Sequence, residues 1–269
     1  MGRTQWIAAA ITIALVLVTY WGCPVRPPDA DVELKNAPVE STGLESLIRA
    51  ARDELTPVQI ATLANLEERL ELTDNSETEP RRPLLEKLAG EWFRAGQPAI
   101  SGIYARDIAE ESGEAADWSI AATTFSLCLQ REETDDKTRQ FCARQAEAAY
   151  QSAISLDPND VDARINLAVS YTDYPPQDNP MKGVLMLVDL DKQYPGNVRV
   201  NLTLGQLAIK TNQLEKAAQR FRKAAELAPD NPDAICPLAQ VYENLNQPQE
   251  AAPYIARCKE LLNDGGASR

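Results

Sequence analysis

The chain has no histidine among its 269 residues. That removes the side chain that titrates nearest neutral pH and the commonest metal ligand, so Ser-His and Cys-His nucleophilic mechanisms and His-containing zinc sites are excluded. No CxxC spacing occurs either, so no metal and no cofactor is expected. Aromatics are scarce, at 6%, while alanine is abundant, a balance that suits close-packed helices better than sheets. A basic excess is lacking as well: 27 Lys and Arg face 40 Asp and Glu, for a net charge of −13. Nucleic acid is therefore not an expected partner, because phosphate contacts need a basic surface. The acidity reads as a solvated surface. With 44% hydrophobic residues the chain can pack the core of one elongated or two compact domains.

The uncharged run 6–22, IAAAITIALVLVTY bracketed by Trp6 and Trp21, spans roughly 25 Å as a helix. Trp6, Tyr20 and Trp21 suit the two faces of a bilayer. Arg3 precedes the run with no acid beside it, which predicts a cytoplasmic N-terminus at 1–5, a single-pass transmembrane anchor at 6–22, and the rest on the extracytoplasmic side. Two alternatives stay open: a cleaved signal, weakened by the lack of a small-x-small end, and lipidation at Cys23, weakened by the bulky Tyr20 and Trp21. Pro24, Pro27, Pro28 and Pro38 make 23–42 a semi-rigid tether. A helical pair or cap follows at 43–78, capped at Ser41 or Thr42, with Thr56-Pro57 opening its second helix. Ile60, Leu63, Ala64, Leu66 and Leu70 share one side of that helix.

From 79 to 264 a helix-turn-helix pattern recurs. Its clearest copy is Val198 to Asn231: Leu204, Gly205 and Ala208 share one helical face, Ala217, Phe221 and Ala224 share another, Asn212-Gln213 sits at the turn, and Pro229 closes the unit. Small residues let two backbones approach while Phe221 fills the remaining space. Such a hairpin cannot bury its faces alone, so neighbouring copies are expected. They occur at Pro83 to Ile108 around Gly96-Gln97-Pro98, at Trp118 to Pro158 with a dozen extra residues read as extensions of both helices, at Val161 to Pro195 with an enlarged turn at 174–180, and from Pro232 onward. A disordered tail is expected at 265–269.

These units resemble the tetratricopeptide repeat (TPR) family, whose period is 34 residues, most specifically across Val161 to Leu262. With the N-terminal run, the layout also resembles membrane-anchored bacterial TPR proteins. The resemblance implies an all-α fold: repeats wound into a right-handed superhelix (α-solenoid), preceded by one transmembrane helix. It also implies a groove lined by the first helix of each pair, which binds peptides or proteins. Carried over, the groove side takes Asp162, Ile165, Asn166, Val169 and Asp173, then Arg199, Leu202, Thr203, Gln206 and Lys210, then Asp233, Gln240 and Glu243. Ile165 and Val169 depart from the family's carboxylate clamp, which points to an internal segment of a partner rather than a chain terminus.

Cys128 and Cys142 are centred on residue 135, and Cys236 and Cys258 on residue 247. Residues equidistant from the turn of a helical hairpin face each other, so both pairs are eligible for disulfides in an oxidising compartment. The alternative is free cysteine packed as a small hydrophobe. The functional expectation is a membrane-anchored protein-protein interaction scaffold or chaperone-like accessory subunit of the bacterial cell envelope, without catalysis. Two alternatives compete: a structural spacer or homo-oligomerisation module with no groove ligand, and an enzyme using carboxylates such as Asp173 and Asp178, for which nothing sets a defined separation.

Overall fold

The structure, a computed structural model, describes residues 38–73, 80–131 and 134–266. The expected anchor at 6–22, Cys23, most of the tether and residues 267–269 lie outside the described residues. Contacts divide the chain into a unit ending at Ala50 and one beginning at Ala51. Among the described residues there are twelve α-helices and no strand, and none of the helices is long and apolar enough to cross a membrane.

Helix α1 (Pro38–Asp53) starts inside the segment read as a tether, with Pro38 in its first turn. Helix α2 (Pro57–Thr73) opens where Thr56-Pro57 predicts. Thr56 and Gln59 close that start reciprocally: the Thr56 amide donates to Gln59 Oε1 at 2.9 Å, and the Gln59 amide donates to Thr56 Oγ1 at 3.4 Å. Of the five apolar residues assigned to one side of α2, Leu63 and Leu66 are buried, whereas Ile60 and Ala64 are exposed. The apolar stripe is wider than the surface that covers it.

Five hairpins follow: α3 (Arg81–Arg94) with α4 (Pro98–Ser112), α5 (Ala115–Leu129) with α6 (Asp136–Leu156), α7 (Val161–Asp173) with α8 (Lys182–Gln193), α9 (Val198–Lys210) with α10 (Leu214–Leu227), and α11 (Pro232–Asn244) with α12 (Pro248–Gly266). The sequence predicts extra length in both helices of the second hairpin. That length lies chiefly in α6, which has 21 residues against 15 in α5. Helix α12 runs through Gly266, so the helix continues past 265, where a tail was expected.

Three of the turns within hairpins share one construction. Gly96, Asn212 and Asn246 have φ of 76°, 55° and 57°, the left-handed region that Gly and Asn enter at least cost. The next residue is glutamine each time. The amides of Gln97, Gln213 and Gln247 reach back to the carbonyls of Trp92, Ala208 and Tyr242 at 2.9, 2.8 and 2.9 Å, which closes the first helix of the pair. Turns between hairpins repeat as well. Two residues after Pro158, Pro195 and Pro229 stand Asp160, Asn197 and Asn231. Their side chains accept from the amides of Ala163, Val200 and Asp233 at 2.9, 3.0 and 2.9 Å, capping α7, α9 and α11.

Close approach of helices depends on glycine where an aromatic ring or a backbone fills the gap. A Cβ on Gly205 would meet the Phe221 ring at 2.9 Å, one on Gly102 the Phe125 ring at 2.6 Å, and one on Gly183 the Ala168 carbonyl oxygen at 2.4 Å. The core runs on from hairpin to hairpin. Ile165 and Ala168 of α7 pack with Leu187 and Leu190 of α8 and with Val200 and Leu204 of α9. Phe221 of α10 packs with Ala208 of α9, Leu238 and Tyr242 of α11 and Ala251 of α12. Each hairpin thus buries its second helix against the next pair, as stacked repeats require.

Candidate partner-binding face

The first helices α5, α7, α9 and α11 touch their successors directly. Their outward side chains form one face crossed by polar links. Ser126 Oγ on α5 and Ser170 Oγ on α7 lie 2.8 Å apart. Tyr150 lies behind them, its hydroxyl 3.2 Å from Thr123 Oγ1 and 3.4 Å from Ser126 Oγ, and burial pushes its phenol above the usual range. Asp173, at the end of α7, accepts from Gln130 Nε2 at 3.4 Å and from Lys210 Nζ at 3.0 Å. Arg199 on α9 pairs with Asp162 Oδ1 at 2.8 Å and donates to Asn166 Oδ1.

Of the residues expected to line a groove, Asp162, Asn166, Asp173, Arg199 and Lys210 are brought together here. Arg199 and Lys210 do not offer free positive charge, because Asp162 and Asp173 of the preceding hairpin neutralise them. Ile165 is the clearest departure: it is 1% exposed and belongs to the core between α7, α8 and α9. Its helical position turns it toward Leu187 and Val200. Val169 and Leu202 are half-buried against the same core and the next one. Thr203 donates to the Arg199 carbonyl at 2.9 Å. Gln206, Asp233, Gln240 and Glu243 are exposed.

The second helices carry a parallel set of links. Lys182 on α8 donates to Glu147 on α6 at 3.2 Å and stands 3.9 Å over the Tyr171 ring; although burial opposes it, bonding to Tyr171 and Glu147 raises the lysine above its ordinary pKa. Arg220 on α10 pairs with Asp191 on α8 at 2.7 Å. Nothing in the sequence pattern pointed to these pairs. The only available signal was the recurrence of opposite charges about one period apart, as in Glu147 with Lys182 and Asp173 with Lys210.

The structure joins Cys128 to Cys142, with Cα atoms 6.2 Å apart, and Cys236 to Cys258, with Cα atoms 5.1 Å apart. Both separations fall in the range a disulfide accepts. Cys128 and Cys142 are buried, whereas Cys236 and Cys258 are each partly exposed. Asp173, one of two carboxylates considered for catalysis, is held by Lys210 and Gln130, and Asp178 is exposed in the turn before α8. No group of His, Cys, Asp and Glu suited to a metal ion occurs among the described residues.

Residues 192–261 match the family model described as tetratricopeptide repeat. The chain is 27% identical over 145 residues to the cellulose synthase operon protein C of Pseudomonas fluorescens (strain SBW25); the match takes in 49% of this chain and spans only 11% of that relative's length. Among solved structures, a MamA fragment from Desulfovibrio magneticus RS-1 is 16% identical, covering 69% of this chain and 97% of its own, with a TM-score of 0.44. A crystal structure of MamA is 12% identical, covering 67% and 97%, with a TM-score of 0.45. The segment 192–261 contains α9, α10 and α11 entire and α12 as far as Leu261, the hairpins whose turns and caps repeat most regularly. Over residues 192–261 the chain carries tetratricopeptide repeats.

Proposed function

We propose that the protein is a membrane-tethered scaffold that holds an internal segment of a partner protein along the first-helix face, on the extracytoplasmic side of a bacterial cell membrane. The observation that carries this reading is the contrast along that face. Arg199 and Lys210 are fixed by Asp162 and Asp173, while Gln206 and Gln240, one hairpin apart on α9 and α11, are exposed and their side chains make no hydrogen bond within the described residues. A glutamine can both donate to and accept from an extended backbone. Asp233 and Glu243 add negative charge beside Gln240. Such a face acts by binding rather than by catalysis.

Photo-crosslinkers placed at Gln206 and Gln240 in the full chain, within membranes, test this. A defined heterologous adduct from both positions, absent when the crosslinker is placed at Gln219 on α10, is expected. Adducts only between copies of this chain would favour the second reading, a homo-oligomeric structural spacer. That reading draws support from the neutralisation of Arg199 and Lys210 inside the array. The tether is tested separately by protease access to spheroplasts, where the repeats should be digested while cytoplasmic proteins survive; protected repeats would overturn the topology.

A further inference from the structure

The two disulfides sit in unlike surroundings. Cys128 and Cys142 are 1% and 0% exposed, inside the hairpin of α5 and α6. Cys236 and Cys258 tie α11 to α12 and are partly open to solvent. Thiol-disulfide exchange needs a thiolate to reach a bridge sulfur, so access separates the two bridges.

The hairpin that the accessible bridge ties has weak helices. Pro237 lies inside α11, next to Cys236, and Pro253 lies inside α12. Each lacks the amide hydrogen that a helix interior uses. Helix α12 is also covered less than its counterpart. Ala218 and Ala225 of α10 are buried beside α11, whereas Ala252 and Lys259, one period later on α12, are exposed. What holds α12 to α11 is the packing of Ala251 and Ile255, the stack of Tyr254 on Tyr242 with centroids 5.8 Å apart, and the bridge, with an exposed ion pair from Arg257 to Asp230 in the turn before α11. Exposed ion pairs add little. The bridge is the covalent part of this attachment.

We propose that Cys236–Cys258 is a redox-addressed latch on the hairpin of α11 and α12, opened by a dithiol while Cys128–Cys142 stays closed. One thiolate of the dithiol bonds to a bridge sulfur. The S–S bond breaks, and its electron pair leaves on the other cysteine, which takes up a proton. The second thiol of the same reductant then displaces the mixed disulfide and frees the first cysteine. Two electrons and two protons pass to the protein, and the dithiol ends as a cyclic disulfide. Once the latch is open, α12 separates from α11 more often and uncovers Leu238, Val241 and Tyr242, which are buried in the closed state. Closed, the latch keeps the exposed Gln240 and Glu243 on a fixed helix.

The test uses the oxidised full-length protein titrated with dithiothreitol, quenched by alkylation and mapped by mass spectrometry, with amide hydrogen exchange measured at each step. Cys236 and Cys258 are expected to alkylate at a dithiothreitol concentration about tenfold or more below that needed for Cys128 and Cys142. At that point exchange in α12 should quicken about tenfold or more while α6 is unchanged. The C236S/C258S variant should show the fast exchange without reductant and no further response. Three results overturn the proposal: both bridges opening together, Cys236 and Cys258 alkylating in protein never reduced, or α12 keeping its protection after its bridge has opened. If the variant does not fold, the titration of the unaltered chain decides alone.

Discussion

Lys210 reaches back across the repeat boundary to Asp173, Nζ to Oδ1 at 3.0 Å, with the aspartate side chain 10% exposed and the lysine 65%. The asymmetry of burial decides what each deletion does. K210M leaves a nearly covered carboxylate with only the 3.4 Å bond from Gln130, whereas D173N leaves a lysine that water solvates freely. K210M is therefore expected to destabilise by about 1 kcal/mol and D173N by less, with a coupling of roughly 0.5–1 kcal/mol that weakens in salt. Urea unfolding of both single variants and the double variant measures it.

The glycines at close helix approaches should respond by what they face. G183A drives a Cβ against the Ala168 backbone carbonyl, which cannot step aside alone. It should cost about 1–3 kcal/mol. G205A meets the Phe221 ring, fully buried and without room to swing, and should cost a similar amount. G196A meets nothing within 4 Å and serves as the neutral control in thermal unfolding.

Asp135 caps α6, accepting from the Lys137 amide at 3.0 Å, the Thr138 amide at 3.1 Å and Thr138 Oγ1 at 2.6 Å. The Thr138 hydroxyl, with the backbone amides, holds the carboxyl below its ordinary pKa despite some burial. A depressed carboxyl stabilises the fold above its unfolded value, near 3.9, and that stability is lost as pH falls through the folded value. D135A should cost about 1 kcal/mol at neutral pH. D135N should keep most of the cap while flattening the acid limb of the stability profile, as read by circular dichroism melts over an acid pH series.

Ile165 and Gln206 separate core from face. I165A should destabilise by about 2–5 kcal/mol because it empties a packed site between three helices. Q206A should stay within about 0.5 kcal/mol of the parent in unfolding. If I165A were neutral, the assignment of Ile165 to the core would fail.

Much of the array was legible because its spacing follows from packing. Gly205 and Phe221 are 16 residues apart since a ring from the second helix must fill the gap over a bare backbone in the first, and Asn212 marks the left-handed turn between them. Less of the face was legible. Ile165 lies in the core one residue before Asn166 of the face, and Arg199 lies on the face one residue before the buried Val200, so a modest rotation decides which side chain turns inward. The neutralisation of Arg199 and Lys210 was hidden because their partners lie 37 residues away, on another hairpin. The caps at Asp160, Asn197 and Asn231 carry a signal in the sequence, an Asx residue two places after each of Pro158, Pro195 and Pro229.

Some carboxylates of the array serve two masters. Asp173 answers both Gln130 and Lys210, so α5, α7 and α9 share one anion; Asp191 answers Arg220 and Lys223 on the outer helices. Tilting the middle hairpin away from the next one stretches the bonds of Asp173 and of Asp191 together. The row therefore resists bending as a braced truss does, with load passed through diagonal members rather than held at each joint. Excising α7 and α8 to shorten the array would strip out the shared anions along with two helices, leaving Lys210, Arg199 and Arg220 as unmatched cations at a new seam.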